Sequence, residues 1–299
     1  MVSRGSKVGN VKCFYHDDLD GFCSGAIVQL KYPHAKCMKI DYGDSFDWNS
    51  IDKTDTVFMV DFGLQPFDEM LKLNQMCNLI WIDHHDTALT NQEKSGIKLQ
   101  GLQRLGSAGC ELTWEYLFPN ESMPRFVSLL GDYDEWRNQD KEKWNNEVMP
   151  FEYAMQGYSE ENLQPNSHLW LELDDEKINK IIENGKTIIG FLTKYNKEAT
   201  QKYAYTIELE GFKFLCLNTP HRGSFLVEST YKEDKYDGVM IWRYNGNNCT
   251  FSFYTTKDNV HVGNIAQKYG GGGCAKAAGG SMTPDEFHDA FKMISKKFS

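Results

Sequence analysis

Paired cysteines are the first absence. The eight cysteines are scattered and none forms a C-x-x-C pair, which argues against a structural zinc cluster or a disulfide framework and makes a reducing, cytoplasmic setting the expectation. No apolar run approaches the ~18–20 residues that a membrane helix needs, so no membrane partner is expected. Residues 1–10 are polar and lack an apolar h-region, so no secretory signal is expected either. Positive charge is also short: 32 Lys and Arg against 42 Asp and Glu give a formal net charge of −10. Long duplex nucleic acid is bound largely by neutralising phosphates, and this balance disfavours it as a partner. A phosphate ester remains a fitting substrate if bound cations reverse the field locally. Internal repeats are absent, and the only low-complexity stretch is a glycine-rich one near the C-terminus.

What is present is the composition of a folded protein: 299 residues, 40% hydrophobic, long enough for two cores. Short apolar runs at 11–15, 56–60 and 79–82 each end at an acidic or His residue, and 21–30 and 66–73 read as helices following two of them. Strands alternating with helices imply a parallel α/β sheet, which binds ligands at the carboxyl ends of its strands. Residues 107–118 and 123–130 read as helices, and 138–146 as a charged, Trp-containing break. From Asp174 to about Tyr203, Ile178, Ile181, Ile182, Ile188, Ile189 and Leu192 recur at helical spacing, predicting one long helix able to connect two domains. Strands are predicted at 205–209, 212–217, 238–244 and 249–255, then a helix from near Val262 that 270–280 interrupts. The last predicted helix is amphipathic, at 284–298, with Thr283 as N-cap.

Four clusters carry chemistry. His16-Asp17-Asp18-Leu19-Asp20-Gly21 follows the first strand; Asp18 and Asp20 alternate, so both can point one way, and Gly21 permits a turn into the helix. Asp61 ends the second apolar run. Asp83-His84-His85 places a carboxylate and two imidazoles at the end of the third. Gly131-Asp132-Tyr133-Asp134-Glu135-Trp136 follows a helix and offers Asp132 or Asp134. Carboxylates with imidazole suit hard divalent cations, Mn²⁺ in particular. Taken singly, each has an ordinary reading as a cap, turn or solvated loop.

Together, in this order, the clusters resemble the four motifs of the DHH phosphoesterase family. Gly270-Gly271-Gly272-Gly273-Cys274-Ala275-Lys276-Ala277-Ala278-Gly279-Gly280 resembles the glycine-rich signature of the associated DHHA1 domain. Within the family, His16-x-Asp18-Leu19-Asp20-Gly21, Gly109-Cys110-Glu111 and Tyr133-Asp134-x-Trp136 look most like the nano-RNase branch, which degrades very short RNAs.

The resemblance implies an N-terminal parallel-sheet domain at 1–173, a connecting helix at 174–203 and a smaller mixed-sheet domain at 204–299. It implies two divalent cations, Mn²⁺ or alternatively Mg²⁺, one held by His16, Asp18 and Asp61, the other by Asp20, Asp61, His84 and Asp134, with Asp132 as the alternative. It puts His85 at the scissile phosphate and Asp83 behind a ligand histidine. Gly271, Gly272 and Gly273 are expected to contact substrate by backbone amides that approach an anion closely. Cys274 stands where the family usually has His, and a thiol is a poorer donor, so Lys276 or Arg222 is expected to share the grip. The expected activity is hydrolysis of short single-stranded oligonucleotides. The alternatives are 3′-phosphoadenosine 5′-phosphate or cyclic dinucleotides as substrate, and a non-catalytic nucleotide sensor. Oligomeric state is left open, a homodimer included.

Overall fold

The computed structural model describes residues 9–220 and 231–295, so Arg222, residues 1–8 and the end of the last predicted helix lie outside it. The chain divides into two compact units, Met1–Ile189 and Gly190–Ser299.

The first unit is built on β1 (Val11–His16), β2 (Lys36–Ile40), β3 (Thr56–Val60), β4 (Asn78–Asp83) and β5 (Gly101–Gln103), ordered β2–β1–β3–β4–β5 and parallel throughout. The helices are α1 (Leu19–Lys31), α2 (Asp68–Met76), α3 (Asp86–Ser95), α4 (Gly109–Leu117) and α5 (Arg125–Asp134), then the short α6 (Lys141–Lys143), α7 (Met149–Met155), α8 (Glu160–Leu163) and α9 (His168–Leu171). Strands covered on both faces read as continuous apolar runs, which is why β1, β3 and β4 stand out in the sequence. On one face Phe14, Met59 and Trp81 pack with Met70 and Leu73 of α2. The strand order reverses between β1 and β3, where such sheets form their crevice, and His16, Asp61 and Asp83 all stand at that edge.

Lys12 and Asp55 form a buried charged pair in this unit. Lys12 Nζ in β1 meets Asp55 Oδ2 at 2.6 Å, and Asp55 also accepts from the amides of Asn10 and Asp52.

The helix α10 (Asp175–Tyr203) lies within a residue of its predicted start, and the division between the units falls inside it. The second unit has β6 (Tyr205–Leu209), β7 (Phe212–Asn218), β8 (Gly238–Tyr244), β9 (Cys249–Tyr254), β10 (Gly272–Gly273) and β11 (Ala277–Met282), with α11 (Val262–Lys268) and α12 (Pro284–Ser295). Its order is β10–β11–β9–β8–β7–β6, with only β7 and β8 parallel. Cys249, Phe251 and Phe253 alternate inward along β9 onto Phe214, Met240 and Ile265. Thr283 caps α12 as predicted: its Oγ1 accepts from the Glu286 amide at 3.3 Å, and Glu286 accepts from the Thr283 amide at 2.9 Å.

Three readings change. Residues 138–146 are not all a break, because helix begins at Lys141 and a π-helical turn, Trp144–Val148, leads into α7. The helix expected from Pro66 begins at Asp68. The glycine segment pairs as a hairpin rather than standing as a loop, because its glycines allow backbone to approach backbone. A Cβ on Gly271 would lie 2.3 Å from the Gly279 carbonyl oxygen, and one on Gly279 would lie 2.5 Å from that of Phe251.

Candidate metal centre

Three strand ends and three helix ends converge. Asp18 caps α1, its Oδ1 accepting from the Gly21 amide at 2.8 Å, while its Oδ2 lies 2.8 Å from His16 Nδ1. Gly21 itself serves close approach rather than a turn: it lies in the first turn of α1, where a Cβ would sit 2.2 Å from the His16 carbonyl oxygen. Asp20 is buried and anchored at both oxygens, which accept from the amides of Gly109 and Cys110 at 2.7 Å each. Those amides are the start of α4, whose positive end favours a carboxylate.

Asp61 follows β3 with φ +55°, a left-handed conformation that a non-glycine residue adopts at a cost. Its Oδ1 lies 3.1 Å from His84 Nε2 and its Oδ2 3.7 Å from His16 Nδ1. Gly109 is required here as well, since a Cβ would lie 2.5 Å from Asp61 Cβ. His84 Nε2 also lies 3.7 Å from Asp20 and 3.5 Å from Asp134.

Asp134 faces His84, whereas Asp132 is held away by Arg137 at 2.9 Å and Lys143 at 2.6 Å. Asp83 is fully buried and accepts from the His84 amide at 2.8 Å and the His85 amide at 3.1 Å, and its Oδ1 lies 2.7 Å from His85 Nδ1. It therefore orients His85, where a ligand histidine was expected. The group behind His84 is Glu135, whose Oε1 lies 2.7 Å from His84 Nδ1. Sequence reasoning missed Glu135; it stood inside the quoted cluster, but its partner is 51 positions away and no local pattern marks the pairing.

Three groups of donor atoms lie within 4.8 Å of one another: His16, Asp61 and His85; Asp20, Asp61 and His84; and His84, Asp134 and Glu135. Asp61 is shared by the first two and His84 by the last two. Asp18 stands in none of them, being engaged with Gly21 and His16.

The electrostatics call for cations. Burial first, and then the charge of Asp18, raises Asp61 to about 7. Burial and the charge of Asp20 do the same to Asp134, also to about 7. Asp20 is pushed well up by burial and by Asp61. Burial would lower His16 and His84, but the carboxylates of Asp18 and Asp61 beside the first, and of Asp61 beside the second, outweigh it and raise both to about 11. Asp61 Oδ2 and Asp83 Oδ2 are buried with no hydrogen-bond partner among the described residues, and an orphaned oxygen on Asp61 fits a donor set awaiting a cation.

In the second unit, Gly271 and Cys274 spend their amides on Ala266 and Ala277, at 2.9 and 2.8 Å. Cys274 is exposed, and Gly272 faces open space. Gly273 adopts φ +135°, and a Cβ there would meet Ala278 at 2.6 Å. Lys276 pairs with Asp258 at 2.7 Å, an exposed contact that is weak in water.

Comparison with known proteins gives the class. Residues 225–299 match the DHHA1 domain. The RecJ structure from Thermus thermophilus in complex with Mn²⁺ shares the fold, with a TM-score of 0.56 at 13% identity over 98% of this chain and 52% of that one. So does the pGpG-specific phosphodiesterase PggH from Vibrio cholerae, with a TM-score of 0.56 at 12% identity over 96% of this chain and 98% of that one. These two structures and this chain have the fold in common.

Two sequence relatives narrow this. The chain is 24% identical to oligoribonuclease NrnB of Bacillus subtilis (strain 168), over 93% of this chain and 74% of NrnB. It is 25% identical to the uncharacterized protein R106 of Acanthamoeba polyphaga mimivirus over 75% of this chain, and spans about half (52%) of that relative's length. The domain match, the NrnB relationship and the shared fold support the DHH/DHHA1 phosphoesterase family, close to its nano-RNase branch.

Among the described residues, no helix is long and apolar enough to cross a membrane.

Proposed function

We propose that this chain is a two-metal phosphoesterase that hydrolyses the phosphodiester bonds of short single-stranded oligonucleotides. Residues 1–173 form the metal-binding catalytic domain, 174–203 the connecting helix and 204–299 the substrate-binding domain. The observation that carries the reading is the convergence of Asp20, Asp61 and His84 at the carboxyl edge of the sheet, with Asp61 facing a second imidazole, His16. Carboxylate oxygens with imidazole nitrogens suit Mn²⁺, with Mg²⁺ the harder alternative. The fold shared with Mn²⁺-bound RecJ supports divalent cations here. When bound, the cations supply Lewis acidity at the phosphoryl oxygen and a water of lowered pKa.

The chain's own residues do the rest. Asp61 presents one oxygen to each imidazole and is placed to be shared. Asp20 is fixed by two amides, so it needs no reorganisation on binding. Glu135 turns His84 so that Nε2 faces Asp20, Asp61 and Asp134. Asp83 holds His85 Nδ1, which leaves Nε2 to face the substrate, as a donor to a phosphate oxygen when the ring carries both protons. His16 completes the first group of donors, with Asp18 behind it. Gly271, Gly272, Gly273, Cys274, Lys276 and Arg222 are assigned to substrate contact.

The relationship to NrnB supports short RNA as the substrate class. The test is a panel of RNAs of graded length, with 3′-phosphoadenosine 5′-phosphate and cyclic di-AMP as comparators, assayed with Mn²⁺ and then with EDTA. Turnover confined to the shortest RNAs and abolished by EDTA is expected. Turnover that survives EDTA, or that is indifferent to length, would overturn the reading.

A further inference from the structure

The first unit carries a pocket beside the metal centre that nothing in the family motifs describes. It has a volume of about 180 Å³ and is lined chiefly by Asp41, Tyr42, Asp44, Phe46, Phe62 and Gln65. These residues come from the segments that leave β2 and β3, so the pocket opens at the same carboxyl edge of the sheet as the metal ligands. Pockets for whole drug-sized ligands are larger, roughly 300–1,000 Å³, so this one fits a single flat ring system.

Its chemistry is specific. Tyr42 is 44% exposed while one side of its ring packs on Phe62 at 4.8 Å between centroids. The same ring lies 5.5 Å from His16 and 6.5 Å from His85. The pocket floor is therefore adjacent to the groups assigned to metal and phosphate. Its rim is acidic: Asp41, Asp44 and Glu69 line it with no Lys or Arg among the lining residues, although Glu69 pairs with Lys72 at 3.5 Å, so among the described residues the charge with no Lys or Arg partner is that of Asp41 and Asp44. A phosphate is repelled by such a rim. A neutral base with N–H donors is not, because ionised carboxylates accept only, and the Gln65 amide both donates and accepts.

We propose that this pocket is the nucleobase subsite of the substrate, in which Tyr42 stacks the base and Asp44 selects bases bearing amino donors, guanine foremost. The inference deepens the phosphoesterase reading and rests on it for the identity of the ligand as a nucleotide. A base on Tyr42 places its own sugar and phosphate toward His85. Asp44 Oδ2 already accepts from the Asp41 amide at 2.9 Å, which leaves Oδ1 and the second lone pair of Oδ2 for guanine's two adjacent N–H donors, whereas uracil flanks its single N–H with two acceptors.

The test separates the base from the phosphate and needs no turnover. Binding of GMP, UMP and ribose 5-phosphate to the whole protein with Mn²⁺ is measured calorimetrically for wild type, Tyr42→Phe, Tyr42→Ala and Asp44→Asn. Wild type and Tyr42→Phe should bind GMP at least about fivefold more tightly than ribose 5-phosphate, the lower end of what stacking on an aromatic ring contributes. Tyr42→Ala should bind the two alike, with ribose 5-phosphate affinity unchanged. Asp44→Asn should lose the preference for GMP over UMP, and serves alone if Tyr42→Ala does not fold. Equal binding of GMP and ribose 5-phosphate by wild type overturns the subsite, as does a GMP preference that persists in Tyr42→Ala, or in Asp44→Asn where that variant serves alone. Loss of the RNA hydrolysis described above with the GMP preference intact overturns the phosphoesterase reading and leaves the base subsite standing.

Discussion

Glu135 Oε1 lies 2.7 Å from Nδ1 of His84, on the side of the ring opposite Asp61. This contact decides which edge of His84 faces the carboxylates. A carboxylate behind a ligand imidazole fixes its tautomer and raises its basicity, and removing such a partner typically lowers metal affinity about 10–100-fold. Glu135→Ala should show that loss in a Mn²⁺ titration of activity, with rate largely recovered at saturating metal. An unchanged titration curve would mean that Glu135 only fills space.

Asp134 and Asp132 should separate cleanly. Asp134→Asn removes a group 3.5 Å from His84 Nε2 and should cost roughly a hundredfold in hydrolysis. Asp132→Asn disturbs a partly exposed network with Arg137 and Lys143, where ion pairs contribute little, and should keep activity within about tenfold of wild type. Steady-state rates with Mn²⁺ on one short RNA decide between them, and the reverse ranking would move the ligand to Asp132.

Much of this arrangement was legible in the sequence. β1, β3 and β4 are buried on both faces, so each reads as an apolar run ending at a ligand-type side chain. β2 is an edge strand with exposed lysines, and α3 buries none of its residues, so neither shows a periodic apolar face. The direction of support around the histidines was not legible. Asp83 turns to His85 through a local contact whose direction the pattern leaves open, and Glu135 reaches His84 only because of where α5 ends, which no spacing encodes. The glycine hairpin was hidden for another reason: glycines that mark flexible turns in one context permit tight strand pairing in another.

The buried pair of Lys12 and Asp55 tests the fold apart from the site. Burial alone would raise Asp55, but the Lys12 hydrogen bond, the Asp52 amide and the Lys12 charge outweigh it and hold the carboxyl below its ordinary value. A folded-state pKa below the unfolded one contributes stability that is present above about pH 4 and lost as pH falls through the folded value. Asp55→Ala leaves the buried Lys12 with the Ser50 carbonyl but without its carboxylate counter-charge, and should cost about 3–5 kcal/mol at neutral pH. In denaturant titrations the gap between variant and wild type should narrow as pH falls from 5 to 2. A gap that is constant across that range would show that the pair contributes through packing rather than charge.

The central claim is that His84 and the carboxylates around it form a metal site that cleaves phosphodiesters. The most direct measurement is Mn²⁺-dependent hydrolysis of a short RNA by wild type and by His84→Ala, with circular dichroism confirming that both are folded. Metal-dependent turnover by wild type and none above background by a folded His84→Ala is the predicted result. Equal turnover by the two proteins, or none by wild type with Mn²⁺ or Mg²⁺, would contradict the account.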